Sequence, residues 1–229
     1  MPRWNHTVVG LVLLACGSCG WNSARAETTG PDAESMVAAG RIDEYLVAAR
    51  TFLDTHAGHP ESARIALEAL MVASTHRKTS AVKDLKAILV LDQGESLAGR
   101  FALTQFSDAR ECRGFLDELI GHRIDGLKPP VARKYIASVG RAMDFWGPQV
   151  MSDDGFLLRT ALAADVAGDQ PARRQCLSRL DQAKPEVIRA SKLAFDPKID
   201  AVQRIVALQA LTETVPAATD FVRYFHGRL

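Results

Sequence analysis

Apolar residues recur at helical spacing almost without interruption from Met36 to Phe225, and this periodicity limits the chain to an all-α fold. Met36, Ala39, Ile42, Leu46, Ala49 and Leu53 form the first stripe, and Ala63, Ala66, Leu67, Leu70 and Met71 the second. Ala81, Leu85, Ile88 and Leu89 follow, then Leu97, Phe101 and Phe106. Cys112, Phe115, Leu116, Leu119 and Ile120 make a fifth stripe, and Val131, Tyr135, Ile136, Val139 and Met143 a sixth. The second half continues with an Ala/Leu-rich run from Phe156 to Val166 and an amphipathic run from Ala172 to Ala183. It closes with a stripe of Ile199, Val202, Ile205, Val206 and Gln209, then Val215, Ala218, Phe221, Val222 and Phe225.

The breaks between stripes fall at Gly58-His59-Pro60, Gly94, Gly126 to Pro130, Gly147-Pro148, Gly168-Asp169, Pro185, Pro197 and Pro216. Gly and Pro there stop one helix and start the next, since Pro at a helix start removes an N–H that has no intrahelical partner anyway. Segments of roughly 10–20 residues with short connections predict about ten antiparallel helices, arranged as a helical-hairpin solenoid or an irregular bundle. Ile88-Leu89-Val90-Leu91 is an apolar run that periodicity alone assigns to neither helix nor strand; with no partner strand in view it reads as a helix end. Aromatics at 7% and abundant Ala and Leu favour the same class.

Residues 1–26 read as a signal peptide. Arg3 supplies the positive end, Thr7 to Cys16 an apolar stretch too short for a bilayer, and Ala24-Arg25-Ala26 a cleavage site before Glu27. Residues 27–33 read as a flexible tether and 34–229 as a single α-helical, repeat-like domain. The destination is exported: periplasmic or secreted, or anchored through a lipid on Cys16, because Leu13-Leu14-Ala15-Cys16 resembles a bacterial lipobox. No later segment approaches the uninterrupted apolar length of a transmembrane span. Loss of Arg3 and Arg25 turns a net charge of +1 into −1, with 26 basic against 27 acidic residues, and a near-neutral chain is not built to bind nucleic acid.

Cleavage after Ala26 leaves two cysteines. Cys112 and Cys176 can pair in an oxidising compartment, or serve as small buried apolar residues, since each lies on an apolar stripe. His56 and His59, with Glu61 nearby and His76 further on, raise a metal site. The spacing argues against it: His56 ends one helix, His59 precedes Pro60, and His76 lies about four turns away at 1.5 Å per residue, so the cluster reads as corner chemistry. No cofactor is expected. Asp153-Asp154-Gly155 lacks the alternating oxygen ligands of a calcium loop, and Asp154 reads as a helix cap. No nucleophile elbow, phosphate loop, dinucleotide fingerprint or zinc-protease motif occurs.

Arg110, Arg113, His122, Arg123, Lys128, Arg133, Lys134 and Arg141 form a basic excess. With Glu111, Asp117 and Glu118 interleaved it reads as a solvated face; its functional reading is a site for an acidic peptide, polymer or lipid head group. Tyr135, Phe145 and Trp146 either line a groove there or belong to the core.

The segment FLDTHAGHPESARIALEAL (residues 52–70) runs from one helix end through a His-Pro corner into a helix of spaced alanines. LLRTALAADVAGDQPARRQCLSRLDQAKP (157–185) places Ala161 and Ala164 before a Gly168-Asp169 turn and ends on Pro185. Glu61-Ser62 and Glu95-Ser96 recur 34 residues apart. Both segments resemble the tetratricopeptide-like repeats of exported bacterial proteins. The resemblance implies stacked helical pairs that hold a protein or peptide of the cell envelope, without catalysis. Two other expectations stand beside it: an envelope-acting enzyme of unrecognised class, and a carrier of a small apolar ligand.

Overall fold

A computed structural model describes residues 30–56, 58–92 and 96–229. The signal peptide, Cys16, residues 27–29 of the tether, Gly94 and Glu95 lie outside the described residues. Among those described there are twelve α-helices and no strand. In chain order they are α1 (Ala33–Ala38), α2 (Ile42–Thr55), α3 (Ser62–Thr75), α4 (Thr79–Leu91), α5 (Leu97–Leu103) and α6 (Ala109–Gly121). The second half adds α7 (Pro129–Trp146), α8 (Asp154–Ala167), α9 (Gln170–Arg179), α10 (Pro185–Phe195), α11 (Ala201–Gln209) and α12 (Ala217–His226). Pro31–Leu229 is one compact unit. No helix among the described residues is long and apolar enough to cross a membrane.

The helix starts follow from capping chemistry. Asp32, Ser96, Asp108, Asp153, Asp169 and Asp200 each accept the backbone N–H three residues on, satisfying a donor that the first turn leaves without a partner. The cap of α8 is therefore Asp153, and Asp154 is its first helical residue, one place from the expected assignment. Pro129 and Pro185 open α7 and α10. At the other end of α8, Gly168 takes the left-handed conformation (φ 77°) and its N–H bonds back to Asp165 O at 3.1 Å. Ile88 to Leu91 are the last turn of α4, as the absence of a partner strand implied.

The core centres on α8. Phe156, Leu157, Leu158, Thr160, Ala161, Leu162, Ala163 and Ala164 are all buried, so α8 has almost no solvent face. It is enclosed by α6, α7, α9 and α12. A helix that is apolar all round must be covered all round, which the Ala/Leu-rich run from Phe156 to Val166 already encodes. Small residues at Ala161 and Ala164 let neighbouring helices approach closely.

Arg159 is the charged exception on α8, and the packing is arranged around it. Its side chain is 14% exposed and its Nε donates to Asp117 Oδ1 on α6 at 2.6 Å. A second nitrogen bonds the other Asp117 oxygen, and Nη1 donates to Asp220 Oδ2 on α12 at 2.9 Å. Arg223 then extends the network from α12 to Asp125 at 2.9 Å. One guanidinium thus ties three helices together, with a bidentate carboxylate on one side.

Two expected stripes are displaced. On α11, Ile205 and Leu208 are buried, whereas Val202 and Val206 point outward, Val206 being 62% exposed. On α5, Leu97 is exposed while Ala98, Ala102 and Leu103 face the core. Short helices carry too few apolar residues to fix the phase, so the neighbours decide it.

Candidate functional site

The basic stretch does not converge. Lys134 pairs with Asp92 at 2.6 Å, and Arg113 donates to Ser152 Oγ at 2.5 Å. Arg141 donates to Val90 O at 3.1 Å and to Ser138 Oγ at 2.9 Å, while Ser138 Oγ donates to the same Val90 carbonyl at 2.8 Å. Arg141 and Ser138 join α7 to the last turn of α4, supplying two donors to a carbonyl at the C-terminal end of that helix. Glu118 takes Lys83 and, at 3.3 Å, His122. Arg110, Arg123 and Arg133 are exposed and have no carboxylate partner among the described residues.

The aromatic members of that set divide. Tyr135 is 2% exposed, with its hydroxyl 3.4 Å from Thr160 Oγ1 on α8. It is a core residue and is removed from the partner-facing set, because its place on the α7 stripe turns it toward α8. Burial raises its phenol pKa far above the ordinary value. Trp146 is half-buried and held by an indole N–H donated to Leu103 O at 3.2 Å. Phe145 stacks edge-on against it at 5.0 Å and stays 52% exposed.

Cys112 on α6 and Cys176 on α9 are free and buried, so the disulfide alternative gives way to the packing one. Burial pushes the Cys112 thiol up to about 12 and the Cys176 thiol up to about 11, which keeps both protonated and unreactive at neutral pH.

At the His-Pro corner, the His56 ring stacks on Phe52 with centroids 4.7 Å apart, and His59 meets Phe52 edge-on at 5.4 Å. Ser62 Oγ donates to His56 O at 2.6 Å, and Glu61 N–H donates to His59 Nδ1 at 3.2 Å. Phe52 contacts both imidazoles, and the Glu61 N–H holds the His59 ring, while the Ser62 bond fixes the His56 backbone at the joint between α2 and α3. Among the described residues no group of three or more His, Cys, Asp or Glu side chains could hold a metal ion.

The concave features lie instead around the C-terminal helices. One cleft, of 480 Å³, is lined by Asp125, Leu127, Lys128, Asp165, Tyr224 and Arg228, among others. A second, of 380 Å³, lies between α8, α10, α11 and α12. Asp165, Tyr224 and Arg228 line both. Gly227 makes the first cleft's wall possible: a Cβ there would lie 2.8 Å from Asp125 O.

Apart from Lys128 and Asp125, the charges on these walls come from residues outside the basic stretch of the sequence. Arg204 stacks over the Phe225 ring at 4.7 Å and Arg228 over the Tyr224 ring at 5.2 Å. Asp165 is paired with Arg173. The available sequence signal was Tyr224 and Arg228 one turn apart, a spacing that any amphipathic helix produces. No family model, curated protein or solved structure matches this chain.

Proposed function

We propose that the protein is an exported, non-catalytic interaction module of the cell envelope, built from tetratricopeptide-like helical pairs and binding a protein or peptide partner. Exposed Phe145 at the end of α7 carries the reading. The large ring is 52% exposed and backed by a Trp146 fixed to Leu103, at the opposite end of the helix from exposed Arg133. An exposed aromatic held by a fixed neighbour is the kind of residue enriched at interaction hot spots. Helix α7 is anchored by Ser138 and Arg141 to Val90, so this surface is pre-organised and little ordering entropy is lost on binding.

The N-terminal pattern supports periplasmic or secreted placement, with a lipid on Cys16 as the anchored alternative. Mass spectrometry of the mature N-terminus separates them: a chain beginning at Glu27 eliminates the anchor, and a lipidated Cys16 establishes it. The partner test is affinity capture from envelope extract with the wild-type chain and with Phe145→Asp and Arg133→Glu variants. One stoichiometric protein, lost with both variants, is expected. Capture that survives both substitutions, or no partner across several extraction conditions, removes the reading.

A second reading, a carrier of a small ligand, is favoured by the 380 Å³ cleft. Its arginines make the fitting guest charged rather than purely apolar.

A further inference from the structure

The cleft between α8, α10, α11 and α12 holds two guanidiniums that have no carboxylate partner among the described residues. Arg204 donates through Nη2 to two backbone carbonyls, Asp196 O and, at 2.8 Å, Ile199 O. Carbonyl oxygens hold the group in place but leave its formal charge uncompensated. Its Nε is buried with no hydrogen-bond partner. Arg228 donates to the Tyr224 hydroxyl, a neutral acceptor. The remaining charged wall residue, Asp165, is engaged by Arg173.

Each guanidinium carbon lies over an aromatic ring, Arg204 at 4.7 Å from the Phe225 centroid and Arg228 at 5.2 Å from the Tyr224 centroid. A guanidinium carries five N–H donors in its plane, so donors beyond those given to the two carbonyls and the Tyr224 hydroxyl remain for a planar acceptor such as a carboxylate. Leu162, Ala194 and Ala201 supply an apolar floor between them. Asp165 is already neutralised by Arg173, so Arg204 and Arg228 leave the cleft walls cationic, and the apolar residues beside them suit a carboxylate on a carbon body better than a bare phosphate.

We infer that this cleft binds a small organic monocarboxylate. The carboxylate is held by Arg204 and Arg228, and its compact apolar body rests on Leu162, Ala194 and Ala201. The inference is independent of the partner surface on α7, since it uses other helices and other side chains.

Isothermal titration of the purified protein with benzoate tests it, with benzamide as the uncharged isostere and inorganic phosphate as the bare oxyanion. Benzoate should saturate one site below about 10 mM, a range reasonable for so few heavy atoms. Benzamide and the Arg228→Gln variant should each weaken binding about tenfold or more, as expected when a charge-assisted contact is lost. Arg204→Gln should do the same, but Arg204 also holds the segment before α11, so Arg228→Gln, on an exposed residue, is the deciding variant. Absence of saturable benzoate binding overturns the inference. So does equal affinity for benzamide, tighter binding of phosphate than of benzoate, or unchanged affinity in Arg228→Gln.

Discussion

Helices α8 and α11 each carry one arginine into the protein, and they treat it in opposite ways. Arg159 on α8 is met by carboxylates from α6 and α12, and the helix around it is buried on every side. Arg204 on α11 is met by two carbonyls and an aromatic ring, on a helix that buries Ile205 and Leu208 and exposes Val202 and Val206. A half-buried charge matched by charges belongs to the architecture, because it serves to fix neighbouring helices. One left without a counter-charge beside an open cleft is placed where a ligand can supply it. The pair shows why burial of an arginine alone says little about its role.

The largest effect should come from the centre of the matched region. Phe156 is fully buried on α8, and Phe156→Ala is expected to cost about 3–5 kcal/mol in urea unfolding, the usual range for a large aromatic removed from a core. Next is the direct contrast between the two arginines. Arg159→Met leaves Asp117 partly buried without its cation and Asp220 with only Arg223 at 3.7 Å, and should destabilise by about 3 kcal/mol. Arg204→Met removes donors from carbonyls alone and should cost about 1 kcal/mol. Equal losses in the same unfolding experiment would erase the distinction.

A smaller effect concerns pH. Glu111 accepts the Ser107 backbone N–H at 2.6 Å, and this bond holds its carboxyl below the usual carboxylate range. Its contribution is therefore present above the ordinary glutamate pKa and is lost as pH falls through the lowered folded-state value. Because Glu111 is exposed, the stability difference between wild type and Glu111→Gln should stay under about 1 kcal/mol near neutrality. It should shrink toward zero in acid, as followed by urea midpoints across that range. The smallest effect belongs to the outward face of α11: Val206→Ser should shift stability by no more than about 0.5 kcal/mol. A larger loss would mean that Val206 is buried after all.

Much of the fold could be read before the structure, because its signals are local. The capping aspartates, Pro129, Pro185 and Gly168 stand where the chain must change course, and α8 announces its burial by lacking a polar face. Asp153 and Asp154 were confusable because adjacent aspartates offer the same chemistry, and one residue of phase separates them. The stripe on α11 was misassigned because Val202 and Val206 are as apolar as Ile205, and packing against α12 selects the phase. Tyr135 sat on the right stripe for the core and is there. The cleft was not legible at all. Arg204 lies on α11 and Arg228 just past the end of α12, and their meeting depends on how α11 and α12 pack, which no short spacing records.

The sharpest single measurement is the melting temperature with and without saturating benzoate, taken for wild type, Asp220→Asn and Arg204→Gln. A ligand that binds the folded state raises its melting temperature. Asp220→Asn, which weakens the Arg159 cluster, should melt lower than wild type yet keep the full benzoate-induced rise, whereas Arg204→Gln should lose that rise. A rise retained in Arg204→Gln and lost in Asp220→Asn, or no rise in the wild type, would contradict the division between an arginine matched for structure and one left open for a ligand.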